Sequence, residues 1–341
     1  MIRIFVLLAA FLVAAVLPAH ARQIIDMTGR KVTVPDRITR VYSSSPPGTW
    51  LLYAVDPSLL AGLNFAPGER EQRFLRPEFG RLPVVGGVVG HGRGLNMETL
   101  LKIKPDIVLV WDWQQQGING RFEETFQKLG IPTVYVRLDS LGDYPAAFRF
   151  LGELLDRRER TDRLERYAEQ ALKDVATAVG RIPANQRVSV YYAEGDEGLA
   201  TEREASFHAE LIPLAGGRNV HRGEALDHVG METVSLEQVM HYNPQAILVQ
   251  EREFFARVLA DPRWQGVKGV RDKRVYLIPR LPFNWFDRPP SFMRLLGLKW
   301  LANALYPRQF PLDLARETRE FYRLFLGVSL ADADLKEVLS R

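Results

Sequence analysis

The 341-residue sequence contains no cysteine. That absence excludes disulfides, a thiolate metal site, a cysteine nucleophile and a lipid-bearing cysteine behind a leader. Charge of one sign is also missing. Lys and Arg number 45 against 41 Asp and Glu, a net charge of +4, and the two signs are well mixed. A mild, mixed balance argues against nucleic acid as a partner. There is no Gly-x-Ser-x-Gly elbow, no His-Glu-x-x-His pair and no tight group of histidines and carboxylates, so an exported metal-dependent hydrolase finds no machinery here. A binding protein that performs no chemistry fits better. Past the N-terminus no apolar run reaches the roughly 18 residues needed to span a bilayer.

At the N-terminus, Arg3 precedes an apolar run from Ile4 to Leu17, and Ala19-His20-Ala21 supplies a small-x-small cleavage pattern. Residues 1–21 therefore read as a cleaved signal peptide, with an uncleaved anchor as the alternative. The product is expected to be exported to the periplasm, unlipidated, soluble and monomeric. What remains is ample for two domains with separate cores.

One stretch occurs twice. Leu95 to Val110 and Val234 to Val249 each place a Glu (Glu98, Glu237) seven positions before a Pro (Pro105, Pro244), with an apolar run directly after. Each copy predicts a short helix, a proline stop and a buried strand. A repeat at this distance implies two lobes of similar build with a cleft between them. Around it, strands and helices alternate, the pattern of α/β lobes with mainly parallel sheets.

Gln23 to Val34 predicts a hairpin turning at Thr28-Gly29, and 22–142 form the first lobe. From Tyr144 to Val179 the pattern is helical and charged. Thr161-Asp162 is a credible cap, and the roughly 20 residues from there to Arg181 are expected to form one long helix that joins the lobes as a rigid spacer within the helical segment 143–182. The second lobe covers 183–306. The tail, 307–341, reads as a helical addition around Leu314 to Phe325.

Several of these segments carry a family pattern. They are the entry hairpin Asp26-Met27-Thr28-Gly29-Arg30 with Pro35 and Arg40-Val41, both helix–Pro–strand copies, Leu129-Gly130-Ile131-Pro132, Leu214-Ala215-Gly216-Gly217-Arg218-Asn219 and Trp264 before Val275-Tyr276. The chain resembles the periplasmic metal-chelate binding proteins of ABC importers, the class III group that includes vitamin B12, ferric-siderophore and haem receptors. The resemblance implies two Rossmann-like lobes joined by one long α-helix, ligand held in the cleft, and delivery to an ABC permease dimer at the inner membrane. It implies no intrinsic cofactor, the bound metal chelate being cargo. It also implies that Glu98 and Glu237 dock on permease arginines, where one carboxylate per lobe sets register. A first-turn Glu is equally favoured by the helix dipole, so position alone leaves both roles open. Pro244-Gln245 departs from Pro105-Asp106, and the tail has no counterpart in the pattern.

Loops after strands are expected to face the cleft. His91 and His228 precede the two repeat helices on glycine-flanked loops and are candidates for contacting a metal, solvated loop histidines being the alternative. Arg93 and Arg288 are candidates for holding an anionic ligand. Trp111, Trp113 and Trp285 stand at element junctions where aromatic walls suit a bulky ligand, whereas Trp50 reads as core. His208, His221 and His241 read as structural or solvated. The loop Phe283 to Ser291 and the Ser43–Pro47 loop look most like the branch that carries iron or nickel complexes. Cobalamin, haem and molybdate stay open as cargo, as does metal scavenging without a transporter.

Overall fold

The computed structural model describes residues 21–87, 94–112, 118–225 and 230–339, with the side chains of 118–122 left out. The leader, His91, Arg93, Trp113 and His228 therefore lie outside the described residues.

The chain enters through the antiparallel hairpin β1 (Ala21–Ile25) and β2 (Lys31–Pro35). Asp26 fixes its turn. One carboxylate oxygen accepts from the Thr28 and Arg30 amides, each at 3.0 Å, and Gly29 supplies the left-handed φ of 85°. The first lobe then builds a parallel sheet from β3 (Val41–Ser43), β4 (Ile107–Trp111) and β5 (Thr133–Val136). Between these strands lie α1 (Pro46–Val55), α2 (Glu69–Gln72), α3 (Met97–Ile103) and α4 (Ile118–Lys128). The strands are mainly apolar and buried on both faces, as parallel strands covered by helices must be.

The long connecting helix is α6 (Arg158–Gly180), set off from the shorter α5 (Tyr144–Leu154) where Asp156 takes a φ of 56°. Thr161 does not cap. It lies inside α6 with its hydroxyl donating back to the Arg157 and Arg158 carbonyls, both at 3.2 Å. The long element of 23 residues survives as α6, about 35 Å by helical rise.

The second lobe repeats the plan. Its four-stranded parallel sheet runs in the order β11-β10-β6-β8, from β6 (Ser189–Ala193), β8 (Arg218–Asn219), β10 (Ala246–Val249) and β11 (Val275–Leu277). A small antiparallel pair, β7 (Ala200–Thr201) with β9 (Glu232–Thr233), sits beside it. The helices are α7 (Leu211–Leu214), α8 (Leu236–Tyr242), α9 (Arg252–Val258), α10 (Lys268–Arg271) and α11 (Met293–Leu305).

The twice-written stretch folds twice in the same way. Helices α3 and α8 each hold seven residues, and both are capped by a side chain that accepts from the amide three residues on, Asn96 from Thr99 at 2.9 Å and Ser235 from Gln238 at 3.2 Å. Both end on a left-handed residue, Lys104 (φ 44°) and Asn243 (φ 42°). The exchange of Asp106 for Gln245 is neutral because both do one job. Asp106 Oδ2 accepts from the Arg40 amide at 2.9 Å, and Gln245 Oε1 accepts from the Ser189 amide at 2.9 Å, so each pins the neighbouring strand.

The tail is a correction. Helices α12 (Leu314–Phe321) and α13 (Asp332–Val338) are integral to the fold rather than added to it. Phe321, Tyr322, Phe325, Leu326, Leu335 and Val338 are buried in the main core, which runs without a break through both lobes, α5, α6 and the tail. A satellite apolar cluster covers the far face of each lobe's sheet.

Candidate ligand-binding cleft

In open parallel α/β sheets, ligands sit beyond the carboxyl ends of the strands. Here those ends carry Ser43–Ser45, Trp111-Asp112, Glu194, Gln250–Arg252 and the long loop from Ile278 to Ser291. A cavity of about 520 Å³ opens beside Arg252 and the Ile278 to Ser291 loop. Trp50, Phe65 and Arg70 come from the first lobe, Arg252, Arg280, Phe283, Asn284 and Arg288 from the second, and Glu337 and Val338 from the tail.

The lobes meet at the floor of this cavity. Trp50 on α1 stacks on Phe283 with ring centroids 3.7 Å apart. A second junction joins Trp111, at the end of β4, to Phe207 at 5.8 Å, and the guanidinium of Arg294 lies 4.8 Å over the other ring partner, Phe207. Glu210 closes this junction by accepting from the Leu141 amide at 3.0 Å and from Arg294 at 2.6 Å. Trp111 is thus placed at the lobe junction, with its indole donating to Asp139 at 3.2 Å.

Arg288, a candidate for holding an anionic ligand, lines the cavity but is engaged by carboxylates of its own lobe. It holds a φ of 47°, which a residue other than glycine keeps only when its surroundings over-determine it. The surroundings are three buried carboxylates. Arg288 Nε donates to Glu194 at 2.8 Å, an Nη donates to Glu202, and Asp287 lies 3.7 Å away. Glu202 also accepts from the Met231 amide at 2.8 Å and from the Ser206 hydroxyl at 2.7 Å. Asp287 contacts His208 Nδ1 at 2.5 Å. Burial pushes the Glu194 carboxyl up to about 7, against the pull of Arg288. Burial alone would weaken the charge on Arg288, but Glu194 and Asp287 hold it firmly protonated.

Among the described residues, two buried polar groups of the cavity have no hydrogen-bond partner, the indole N–H of Trp50 and the amide nitrogen of Asn284. Both are donors. They stand in a wall of mixed charge, with Arg70, Arg252, Arg280 and Arg288 beside Glu71, Glu253 and Glu337.

Trp285 is a correction. It is fully buried, its indole donates to the Leu281 carbonyl at 3.2 Å, and it belongs to the core beneath the loop. The reason is a close approach: a Cβ at Gly297 on α11 would stand 1.8 Å from the Trp285 carbonyl oxygen, so the glycine lets the loop seat against the helix and carries the indole inward. The neighbouring Phe283 and Asn284, though themselves buried, line the cavity in its place. His208 and His221 are buried and hydrogen-bonded, His221 to Tyr242 at 2.9 Å and Glu232 at 3.2 Å. Among the described residues no group of three or more His, Cys, Asp and Glu could hold a metal ion. Sequence reasoning missed Arg70, Arg280, Glu337 and Val338. Only Arg280, next to the aromatic loop, carried a local signal.

Glu98 and Glu237 occupy equivalent sites that do not line the cavity, both exposed in the first turn of their helices. Glu98 pairs with Lys102 at 2.6 Å. The Glu237 carboxyl is held low by the backbone amide and the Ser235 side chain.

Comparison with known proteins agrees with this architecture. An ABC transporter solute binding protein from Sulfurospirillum deleyianum superposes with a TM-score of 0.87 at 38% identity, over 94% of this chain and 99% of that one. The molybdate-binding protein MolA of Haemophilus influenzae is 28% identical over 90% of this chain and 92% of its own. Its molybdate-bound structure gives a TM-score of 0.73 over 91% of this chain and 99% of that one, at 26% identity. A vitamin B12-binding protein of Pectobacterium carotovorum is 30% identical over 47% of this chain and 56% of its own. Among the described residues no helix is long and apolar enough to cross a membrane. The family profile named periplasmic binding protein matches residues 41–281, and the chain belongs to that family, with the class III fold of ABC-importer receptors.

Proposed function

We propose that this protein captures a small, anionic, oxygen-rich metal chelate in the periplasm, an iron or nickel complex, and presents it to an ABC permease dimer. The observation that carries the reading is the interlobe cavity, whose wall combines Arg70, Arg252, Arg280 and Arg288 with the unpartnered donors of Trp50 and Asn284. Its volume of about 520 Å³ lies in the range of sites for drug-sized ligands, more than a single tetrahedral oxyanion fills. Contact of the metal with His91 or His228, and of the ligand with Arg93 and Trp113, belongs to the same proposal. Molybdate is the second reading, favoured by similarity along nearly the whole chain to the Haemophilus molybdate-binding protein.

Glu98 and Glu237 then serve as the two docking points. Exposure of both carboxylates at matching places on matching helices supports this role. Native mass spectrometry with metal analysis of protein purified from the periplasm tests the ligand. Release of an organic complex carrying iron or nickel is the expected result. Molybdenum without an organic partner establishes the second reading instead. Protein that carries neither, and whose tryptophan fluorescence responds to neither, overturns both.

A further inference from the structure

The C-terminal helix α13 reaches the cleft. Glu337 and Val338 are among the residues around the cavity, and Val338 is nearly fully buried there. Glu337 bridges two arginines of the first lobe, Arg70 at 2.6 Å and Arg73 at 2.9 Å, and Asp334 takes Arg73 as well at 3.1 Å. Arg70 lies on the cavity wall, whereas Arg73 and Asp334 do not. Leu335 and Val338 of the helix are buried in the core, and the tail that leads into it is anchored on both lobes. Tyr53 on α1 donates to the Leu326 carbonyl at 3.0 Å, Tyr322 donates to the Leu281 carbonyl, and Lys299 on α11 pairs with Glu317 at 2.5 Å.

We infer that the C-terminal helix is a third wall of the ligand site, with Glu337 as a specificity-determining carboxylate that grades ligands by charge and Val338 as a limit on their size. The inference rests on the proposed capture of an anionic ligand in this cleft. Its physical basis is simple. Glu337 is an anion placed on one guanidinium of a wall that carries four arginines and two further carboxylates, Glu71 and Glu253, so an incoming ligand oxygen must share or take Arg70 from it. Each added negative charge on the ligand raises the repulsion from Glu337, and the effect is local because salt screens it over about 8 Å. An anchored helix cannot swing away to relieve that repulsion. Val338 contributes apolar surface that a longer side chain would extend into the cavity.

The test compares Glu337→Gln, Val338→Trp and Asp334→Asn in the full chain, using tryptophan fluorescence and calorimetric titration with two probes, molybdate and a nickel(II)–histidine complex. Glu337→Gln keeps the shape and removes the charge. It is expected to tighten molybdate, the dianion, by about three- to tenfold, and the less anionic nickel complex by less. Val338→Trp is expected to weaken the bulkier nickel complex more than molybdate. Asp334→Asn, which loses a contact on Arg73 away from the cavity, should leave both within twofold. If the intact protein binds a probe but Glu337→Gln and Val338→Trp match it, or if Asp334→Asn shifts affinity as Glu337→Gln does, the inference is wrong while the ligand reading stands. If the intact protein binds neither probe, the anionic-ligand reading falls and takes this inference with it.

Discussion

Trp50 and Phe283 stack with centroids 3.7 Å apart and planes inclined by 31°, one on the first helix of the first lobe and the other on the cleft loop of the second. The floor of the cleft is therefore an aromatic joint between the lobes as well as a wall for ligand. Continuity of the core through both lobes, α6 and the tail makes the same point on a larger scale. A cleft floored this way is preformed, and large closure would break the joint.

Replacing Trp50 by Ala removes a side chain that also packs on Phe65 and Phe79. The loss is expected to be about 3–5 kcal/mol, the usual cost of truncating a buried aromatic. Trp50→Phe should recover much of that stability without restoring the N–H donor. Urea unfolding separates the packing role from the donor role when read beside ligand titration. Equal ligand affinity for Trp50→Phe and the parent protein would rule out the donor role.

Arg288→Ala should destabilise more than its partial exposure suggests. It leaves Glu194 and Glu202 buried without their cation. Breaking a buried pair from one side typically costs about 3–5 kcal/mol. Arg288→Met with Glu194→Gln and Glu202→Gln should be milder than Arg288→Ala alone, which denaturation midpoints would show.

Glu194 carries a pH dependence with a definite sign. Its folded carboxyl titrates near 7, above the ordinary value of 4.5, so the folded state holds the proton that the unfolded chain has already released. Between those two values the folded state binds more protons, and this group's share of stability falls as pH rises, levelling off above about 7. The melting temperature of Glu194→Gln should lack that share of the decline. Parallel pH profiles for the two proteins would refute the assignment.

Reversing Glu98 and Glu237 to Lys together should leave folding and ligand affinity intact. The Glu98–Lys102 pair is fully solvent-facing, and such pairs contribute about 0.3–0.5 kcal/mol. Uptake of the cargo in cells should nevertheless be lost. Normal uptake by the double variant would end the docking assignment and favour a scavenger.

Removing residues 307–341 is expected to give an insoluble or unfolded protein. Phe321 and Phe325 stack at 4.2 Å within the core, and Phe325 also contacts Phe148 and Tyr167 at 5.9 and 5.3 Å. A soluble, ligand-binding truncation with an unchanged melting temperature would contradict this packing.

The two-lobed fold was legible because its signals are local. A cap, a glutamate, a proline and an apolar strand follow one another within 16 residues, and both copies fold as read. The long connecting helix was legible as an apolar stripe at helical spacing, but its start at Arg158 rather than Thr161 was not, because the left-handed Asp156 ahead of it leaves no mark on the periodicity. Trp285 was misplaced because its burial depends on Gly297, a dozen residues later and on another element. The tail was misjudged for a similar reason. Its aromatic stripe is visible, but its partners, Tyr53, Phe148 and Tyr167, are far away in sequence. Arg70 and Glu337 meet only after the whole chain has folded.

Near-identity of the two repeat helices also has a geometric side. Two tips of similar shape presented to a two-fold partner could engage in either of two orientations related by half a turn. The residue four places beyond each glutamate differs, however: Lys102 neutralises Glu98 in one lobe, and His241 stands at the matching place in the other. The tips are alike in backbone and unlike in charge, but a partner with exact two-fold symmetry maps onto itself under that half turn, so the two orientations are equivalent and an encounter either way round would give the same complex.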